Sequence, residues 1–147
     1  MSNGDLVDIL LVEDNPEDVE LTLRALRKAN LANPIHVVED GAEALDYLFG
    51  AGKDEAKSDA HYPRVVILDL KLPKVSGIEV LRRIKSDPAT RTIPVVVLSS
   101  SREEPDIKTA YALGVNSYIV KPVDFEKFVE AVGTLGMYWL LLNQGPH

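Results

Sequence analysis

Val65-Val66-Ile67-Leu68-Asp69-Leu70-Lys71-Leu72-Pro73 is the stretch that decides how this chain folds. Four apolar residues run without alternation into a single carboxylate. A short continuous apolar run predicts a strand buried on both faces, at the centre of a parallel sheet. Asp69 then stands where that strand leaves the sheet, and Pro73 stops any regular continuation. Taken alone, an Asp at a strand end is as readily a turn former or helix cap as a functional group. The other strand ends decide between these readings.

Upstream, residues 7–12 form a second buried apolar run, ending in Glu13-Asp14-Asn15-Pro16. Asn15 suits an N-cap and Pro16 a first helical position. The helix that follows places Val19, Leu23, Leu26 and Asn30 on one stripe. Residues 35–38 make a short strand. Asp40-Gly41-Ala42-Glu43 opens a second helix with capping-box spacing, and Gly50 closes it. Residues 51–63 are polar and charged with no apolar period, an exposed loop. Downstream, Ser76-Gly77-Ile78-Glu79 starts a third helix, lined inside by Ile78, Leu81 and Ile84. Residues 93–98 are a fourth strand ending in Ser99. Ser101-Arg102-Glu103-Glu104 has capping-box spacing for a fourth helix, which Gly114 ends. Residues 117–120 are a fifth strand, followed by Lys121-Pro122, and Asp124 caps a last helix reaching about residue 142.

Five strands alternating with five helices call for an α/β fold, a parallel sheet between helix layers. Residues 1–147 are expected to be one domain with a core over about 6–142. With 46% hydrophobic and 27% charged residues, the composition is that of a soluble globular domain. The absence of cysteine excludes disulfides, thiolate metal sites and thiol nucleophiles. No apolar run approaches the ~20 residues that span a bilayer, and residues 1–5 lack a signal-peptide pattern, so the chain reads as cytoplasmic, without a membrane partner. A net charge of −7 argues against non-specific binding to nucleic acid. His36, His61 and His147 are scattered and read as incidental surface residues.

In an open parallel sheet, ligands bind beyond the carboxyl ends of the strands. This chain puts Glu13 and Asp14 after strand one, Asp69 after strand three, Ser99 after strand four and Lys121 after strand five. If strands one and three are neighbours, three carboxylates converge. Two unit charges ~4 Å apart repel by roughly 4 kcal/mol at an effective dielectric near 20, so the cluster needs a proton or a cation. Hard oxygen ligands favour Mg²⁺. Carboxylates that simply face water are the plain alternative, but that arrangement has no use for Lys121 and Ser99. A cation, an ammonium and a hydroxyl together would clamp a transferring phosphoryl group. Asp69 is the candidate nucleophile within that clamp.

The order Glu13-Asp14, Asp69, Ser99, Tyr118, Lys121-Pro122 resembles the receiver domain of two-component response regulators. The flanking residues Val12, Asn15, Leu68, Leu70 to Pro73, Gly77 and Val120 also match. The loop at 51–63 and the tail Tyr138-Trp139-Leu140-Leu141-Leu142-Asn143 look like the single-domain regulators that partner bacterial phytochromes. The resemblance implies a flavodoxin-like (βα)5 three-layer sandwich with strand order 2-1-3-4-5, and no output domain. It implies that Asp69 takes a phosphoryl group from the phosphohistidine of a sensor histidine kinase, with a bacterial phytochrome as the specific instance. It further implies Mg²⁺ held by Asp14, Asp69, Glu13 through water and the Lys71 backbone carbonyl. Lys121 and Ser99 would bind phosphoryl oxygens, Tyr118 would turn inward as Ser99 moves, and the Lys121–Pro122 bond would be cis. Such a domain is not an ordinary turnover enzyme; it catalyses its own phosphorylation and reset.

Two further readings follow. Residues 137–142 are six successive apolar residues, which point all around a helix. One domain buries only one stripe, so a homodimer is expected through Tyr138, Trp139, Leu141 and Leu142, with the fourth helix and fifth strand as candidate additions. The rivals to phosphorylation are a flavin or nucleotide binder, a phosphoaspartate phosphatase and a receiver-fold binding module not regulated by phosphorylation. Glu13-Asp14 would repel a bound phosphate, and Lys71 stands where the phosphatase would want an acid.

Overall fold

The computed structural model describes residues 9–31, 34–50, 62–122 and 124–144, with residues 135–144 described only as helical backbone. The chain alternates strictly: β1 (Ile9–Val12), α1 (Pro16–Lys28), β2 (Ile35–Val38), α2 (Gly41–Phe49), β3 (Val65–Leu68), α3 (Gly77–Ser86), β4 (Val95–Ser99), α4 (Glu104–Ala112), β5 (Ser117–Val120) and α5 (Phe125–Gln144). All strand pairings are parallel, in the order β2-β1-β3-β4-β5.

Every residue of β1, β3 and β4 is buried, because helices cover both faces. Leu10, Val12, Val66, Leu68, Val95 and Val97 point to one face, where they meet Ala44 and Leu48 of α2, Val80, Leu81 and Ile84 of α3 and Ala110 of α4. Ile9, Leu11, Val65, Ile67 and Leu98 point to the other, against Ala25 and Leu26 of α1 and Phe128 and Val132 of α5. These are the three layers of a flavodoxin-like sandwich, with the strand order expected for it. Among the described residues no helix is long and apolar enough to cross a membrane.

Caps explain where the helices start. Asn15 Oδ1 accepts from the N–H groups of Glu17 and Asp18, at 2.8 and 3.2 Å. Asp40 Oδ1 accepts from Glu43 N–H at 2.7 Å, while Glu43 Oε1 reaches one residue further back than a capping box requires, to Glu39 N–H at 2.9 Å. Ser76 Oγ accepts from Glu79 N–H, and Asp124 Oδ1 from Lys127 N–H. Gly114, at φ +100°, ends α4 in the left-handed region.

Several local expectations fail. Ser101 is not the N-cap of α4, though its Oγ accepts from Glu103 N–H at 3.3 Å: the helix begins at Glu104, with no side-chain cap and with Pro105 in its first turn. Ser101 Oγ instead donates to Asp106 Oδ2. Asn30 lies past the end of α1 at φ 65°, and the buried stripe of α1 is Thr22, Ala25 and Leu26. The fourth strand starts at Val95 rather than 93, since Ile93 N–H is spent on a turn to Thr90 C=O and Pro94 has no N–H; it runs on through Ser99, paired with Val120. His36 is half-buried and stacks on Tyr47, with ring centroids 4.5 Å apart. Tyr62 and Pro63, at the end of the stretch read as an exposed loop, pack inward. Residues 7–8, the remainder of that loop (51–61), His61 and His147 lie outside the described residues, as do the side chains of Tyr138, Trp139, Leu141 and Leu142.

Candidate functional site

The three charged residues Glu13, Asp69 and Lys121 are placed by the sheet itself. Each is the first residue beyond its strand, and each N–H still completes a rung of the ladder. Glu13 N–H donates to Val38 C=O at 3.0 Å, Asp69 N–H to Val12 C=O at 3.0 Å and Lys121 N–H to Ser99 C=O at 2.8 Å. The parallel register aligns Val12 with Leu68, so the carboxylates of β1 and β3 leave the sheet side by side. Their backbones are held rigidly while their side chains turn to the rim.

Glu13, Asp14 and Asp69 each offer an oxygen within 4.8 Å of the others. Glu13 and Asp69 are only 1% and 5% exposed, while Asp14 faces solvent. Lys121 Nζ donates to Glu13 Oε1 at 3.0 Å, to Asp69 Oδ2 at 3.1 Å and to Asp18 Oδ2 at 2.7 Å. Asn15 N–H donates to Glu13 Oε2 at 3.1 Å, and Lys71 N–H to Asp69 Oδ1 at 3.0 Å.

The charges do not balance. Three carboxylates bond one ammonium, and Asp14 adds a fourth negative charge beside Glu13 and Asp69. Burial, with Asp69 alongside, pushes Glu13 up to about 7 against the opposing bond from Lys121. Burial alone would lower Lys121, but the hydrogen bonds to Asp18 and Glu13 and the charge of Asp69 hold it above its ordinary value. A pocket of this kind attracts a cation. Its all-oxygen donor set fits a hard divalent ion that keeps waters of its own.

Gly77 sets the approach of α3 to this rim. A methyl at that position would fall on the Asp69 carbonyl oxygen and Leu70 Cα. Gly77 N–H donates to Leu70 C=O at 2.9 Å, which ties the loop after Asp69 to the helix start. On the far side of the pocket the Lys121–Pro122 bond is cis.

Ser99 is fully buried at the end of β4. Its Oγ accepts from Ser101 N–H at 3.2 Å, which ties it to the loop leading to α4. Tyr118 is half-buried on β5, and its Oη donates to the same loop, to Ser101 C=O at 3.0 Å. The two residues are thus tied to the same loop.

Asp18 escapes sequence reasoning. An acid in the first turn of a helix is ordinarily explained by the helix dipole. The available signal is that helical Cα–Cβ bonds tilt toward the N-terminus, and α1 starts at the pocket rim.

Comparison with known proteins agrees with this geometry. The model of the response regulator receiver domain matches residues 9–133. A probable methanogenesis regulatory protein of Methanothrix harundinacea, FilR2, is 41% identical over 99% of this chain and 96% of its own length. The response regulator Rcp1 of Synechocystis is 36% identical over 90% of this chain and 88% of its own. Among solved structures, the bacteriophytochrome response regulator RtBRR is 53% identical with a TM-score of 0.74, over 89% of this chain and 78% of that one. The phosphorylated cyanobacterial phytochrome response regulator RcpA is 41% identical with a TM-score of 0.75, over 91% and 94%. The Mn²⁺-bound form of Rcp1 is 34% identical with a TM-score of 0.75, over 92% and 94%. A family model spanning most of the chain, and relatives similar over nearly all of it, agree with the sheet order and the rim: the chain belongs to the response regulator receiver domain family.

Proposed function

We propose that this chain acts as a phospho-receiver. Asp69 accepts a phosphoryl group from the phosphohistidine of a sensor histidine kinase, a bacterial phytochrome being the kinase suggested by the related regulators. The observation that carries this reading is the pocket itself, in which Glu13, Asp14 and Asp69 share a rim and Lys121 Nζ lies 3.1 Å from Asp69.

Asp14, Asp69, Glu13 and the Lys71 carbonyl would hold Mg²⁺, a choice supported by their all-oxygen character and by the Mn²⁺-bound relative. When bound there, the cation would supply positive charge for the phosphoryl oxygens. In the transfer, an Asp69 carboxylate oxygen attacks phosphorus. The P–N bond to the donor imidazole breaks, its electron pair stays on that nitrogen, and an acyl phosphate forms. Lys121 and Ser99 bind phosphoryl oxygens. For Ser99 that requires its hydroxyl to turn from Ser101, and Tyr118, anchored to the same loop, is the residue placed to register the change. Water later cleaves the acyl phosphate and restores the carboxylate.

The output is a changed protein contact, made in the cytoplasm, with neither nucleic acid nor membrane as partner. The chain forms a homodimer through Tyr138, Trp139, Leu141 and Leu142; a strict monomer in sedimentation at tens of micromolar would refute the dimer. Incubation with acetyl phosphate and Mg²⁺ tests the phosphorylation. Intact mass rises by one phosphoryl group, and Asp69→Asn abolishes the rise. Persistent labelling of that variant means another acceptor, and no labelling of the native chain means a receiver-fold binding module.

A further inference from the structure

An ammonium has three N–H donors, and three carboxylates occupy those of Lys121. Glu13 and Asp69 are two of them, and both belong to the acidic cluster suited to a divalent cation. The third, Asp18, stands outside that cluster and makes the shortest contact, 2.7 Å to Nζ. Asp18 sits at the third position of α1, whose start is pinned by Asn15. Its side chain is 24% exposed, against 13% for Lys121, so the pair is shielded from water. Glu17, the neighbouring acid in the same turn, is exposed. The helix dipole accounts for an acid in this turn, but it does not account for one that reaches across to β5.

Phosphoryl transfer makes demands on the other two partners. Cation binding engages Glu13 and Asp69, and attack on phosphorus consumes a lone pair of an Asp69 oxygen. Both then hold Lys121 less firmly, at the moment its charge is needed on the incoming oxygens. Lysine is a flexible four-carbon stem with a point charge at its end, and a misplaced ammonium contributes little.

We infer that Asp18 is a positioning residue for this transfer: it holds the Lys121 ammonium on the α1 side of the pocket while Glu13 and Asp69 are engaged elsewhere. Asp18 acts only through Lys121. The inference rests on the phospho-receiver reading above.

The test uses the full chain, acetyl phosphate with Mg²⁺ and intact-mass time courses. Asp18→Asn labels about tenfold more slowly than the native chain, and Asp18→Glu, which keeps the carboxylate, recovers much of the loss. On a Lys121→Met background, Asp18→Asn changes the rate less than twofold, because the interaction is already gone. Mn²⁺ affinity, measured by titration without any donor, falls less than about fivefold in Asp18→Asn, the effect of one charge removed from outside the cluster. Asp14→Asn reduces that affinity far more. Native labelling together with Asp18→Asn labelling at the native rate overturns the inference and leaves the receiver reading intact. A tenfold loss that persists on the Lys121→Met background also overturns it, since the effect then bypasses the lysine. If Asp18→Asn unfolds early, the comparison of Asp18→Glu with the native chain replaces it, and a tenfold slowing of the Glu variant counts against the inference. Failure of the native chain to label removes the receiver reading itself.

Discussion

Replacing Lys121 by Met removes the ammonium that Glu13, Asp18 and Asp69 share, and in metal-free protein the cost is large. Three charge-assisted hydrogen bonds disappear, at 2.7, 3.0 and 3.1 Å. Taken singly, such bonds contribute about 1.5–3 kcal/mol each, but they share one donor and do not add. Asp18, the most exposed partner, counts least. Removing one partner of a buried pair typically costs about 3–5 kcal/mol. Here a carboxylate relieves part of the strain by taking a proton, so we expect about 3 kcal/mol at pH 8. For a domain of this size that lowers Tm by about 6–12 °C. A merely solvated lysine would change stability by less than about 0.5 kcal/mol. The pH dependence follows from Glu13. Lys121 itself stays charged from pH 5.5 to 8, since its folded-state pKa is raised above an already high value. Glu13, raised to about 7, is protonated in the folded protein at pH 5.5, so fewer charges lose their partner there. The deficit should therefore shrink at pH 5.5, and shrink again at pH 8 when Mg²⁺ takes the place of the ammonium. Thermal unfolding with EDTA or Mg²⁺, at both pH values, measures all of this. A variant melting within about 2 °C of the native chain at pH 8 in EDTA would refute the reasoning, as would a deficit that Mg²⁺ leaves untouched.

Glu13→Gln isolates the titration. In metal-free native protein the folded state keeps a proton on Glu13 that the unfolded chain releases near 4.5, so this residue makes stability fall as pH rises from about 4.5 to 7, by at most about 3 kcal/mol. The variant should show a flatter curve in urea unfolding with EDTA; equal slopes would contradict the assignment. Gly77→Ala forces a methyl onto the Asp69 carbonyl and Leu70 Cα, which should cost roughly 2–3 kcal/mol and slow acetyl phosphate labelling. Unchanged stability and labelling would show the loop to be compliant. Lys85→Met strips donors from Arg91 C=O and Ile93 C=O, at 3.0 and 2.8 Å. It should cost about 1–2 kcal/mol while labelling is unaffected, because Lys85 meets β4 at the end away from the acidic rim.

Most of the architecture is legible in the sequence because parallel strands are short and buried on both faces. The runs ending at Val12, Leu68 and Leu98 stand out for that reason, and the residue after each run is where function lies. Glu13, Asp69 and Ser99 are found by that rule alone. The rest depends on contacts made across the sheet. Nothing near Asp18 announces Lys121, which lies more than a hundred residues away in the chain. Ser101 carries the spacing of a helix cap, yet Pro105 lets the helix start later, and the hydroxyl goes to Asp106 instead. Asn30 continues the apolar stripe by spacing but leaves it by backbone conformation, at φ 65°. His36 looks incidental until Tyr47 of the next helix stacks on it.

The central claim is that the phosphoryl group forms an acyl phosphate on Asp69, at the rim shared by β1, β3 and β5. Borohydride reduces an aspartyl phosphate to homoserine, which peptide mass spectrometry locates. After incubation with acetyl phosphate and Mg²⁺, homoserine is expected at position 69 and is absent when EDTA replaces the cation. Homoserine at 14 or 18, or reduction at 69 that persists in EDTA, would contradict the account.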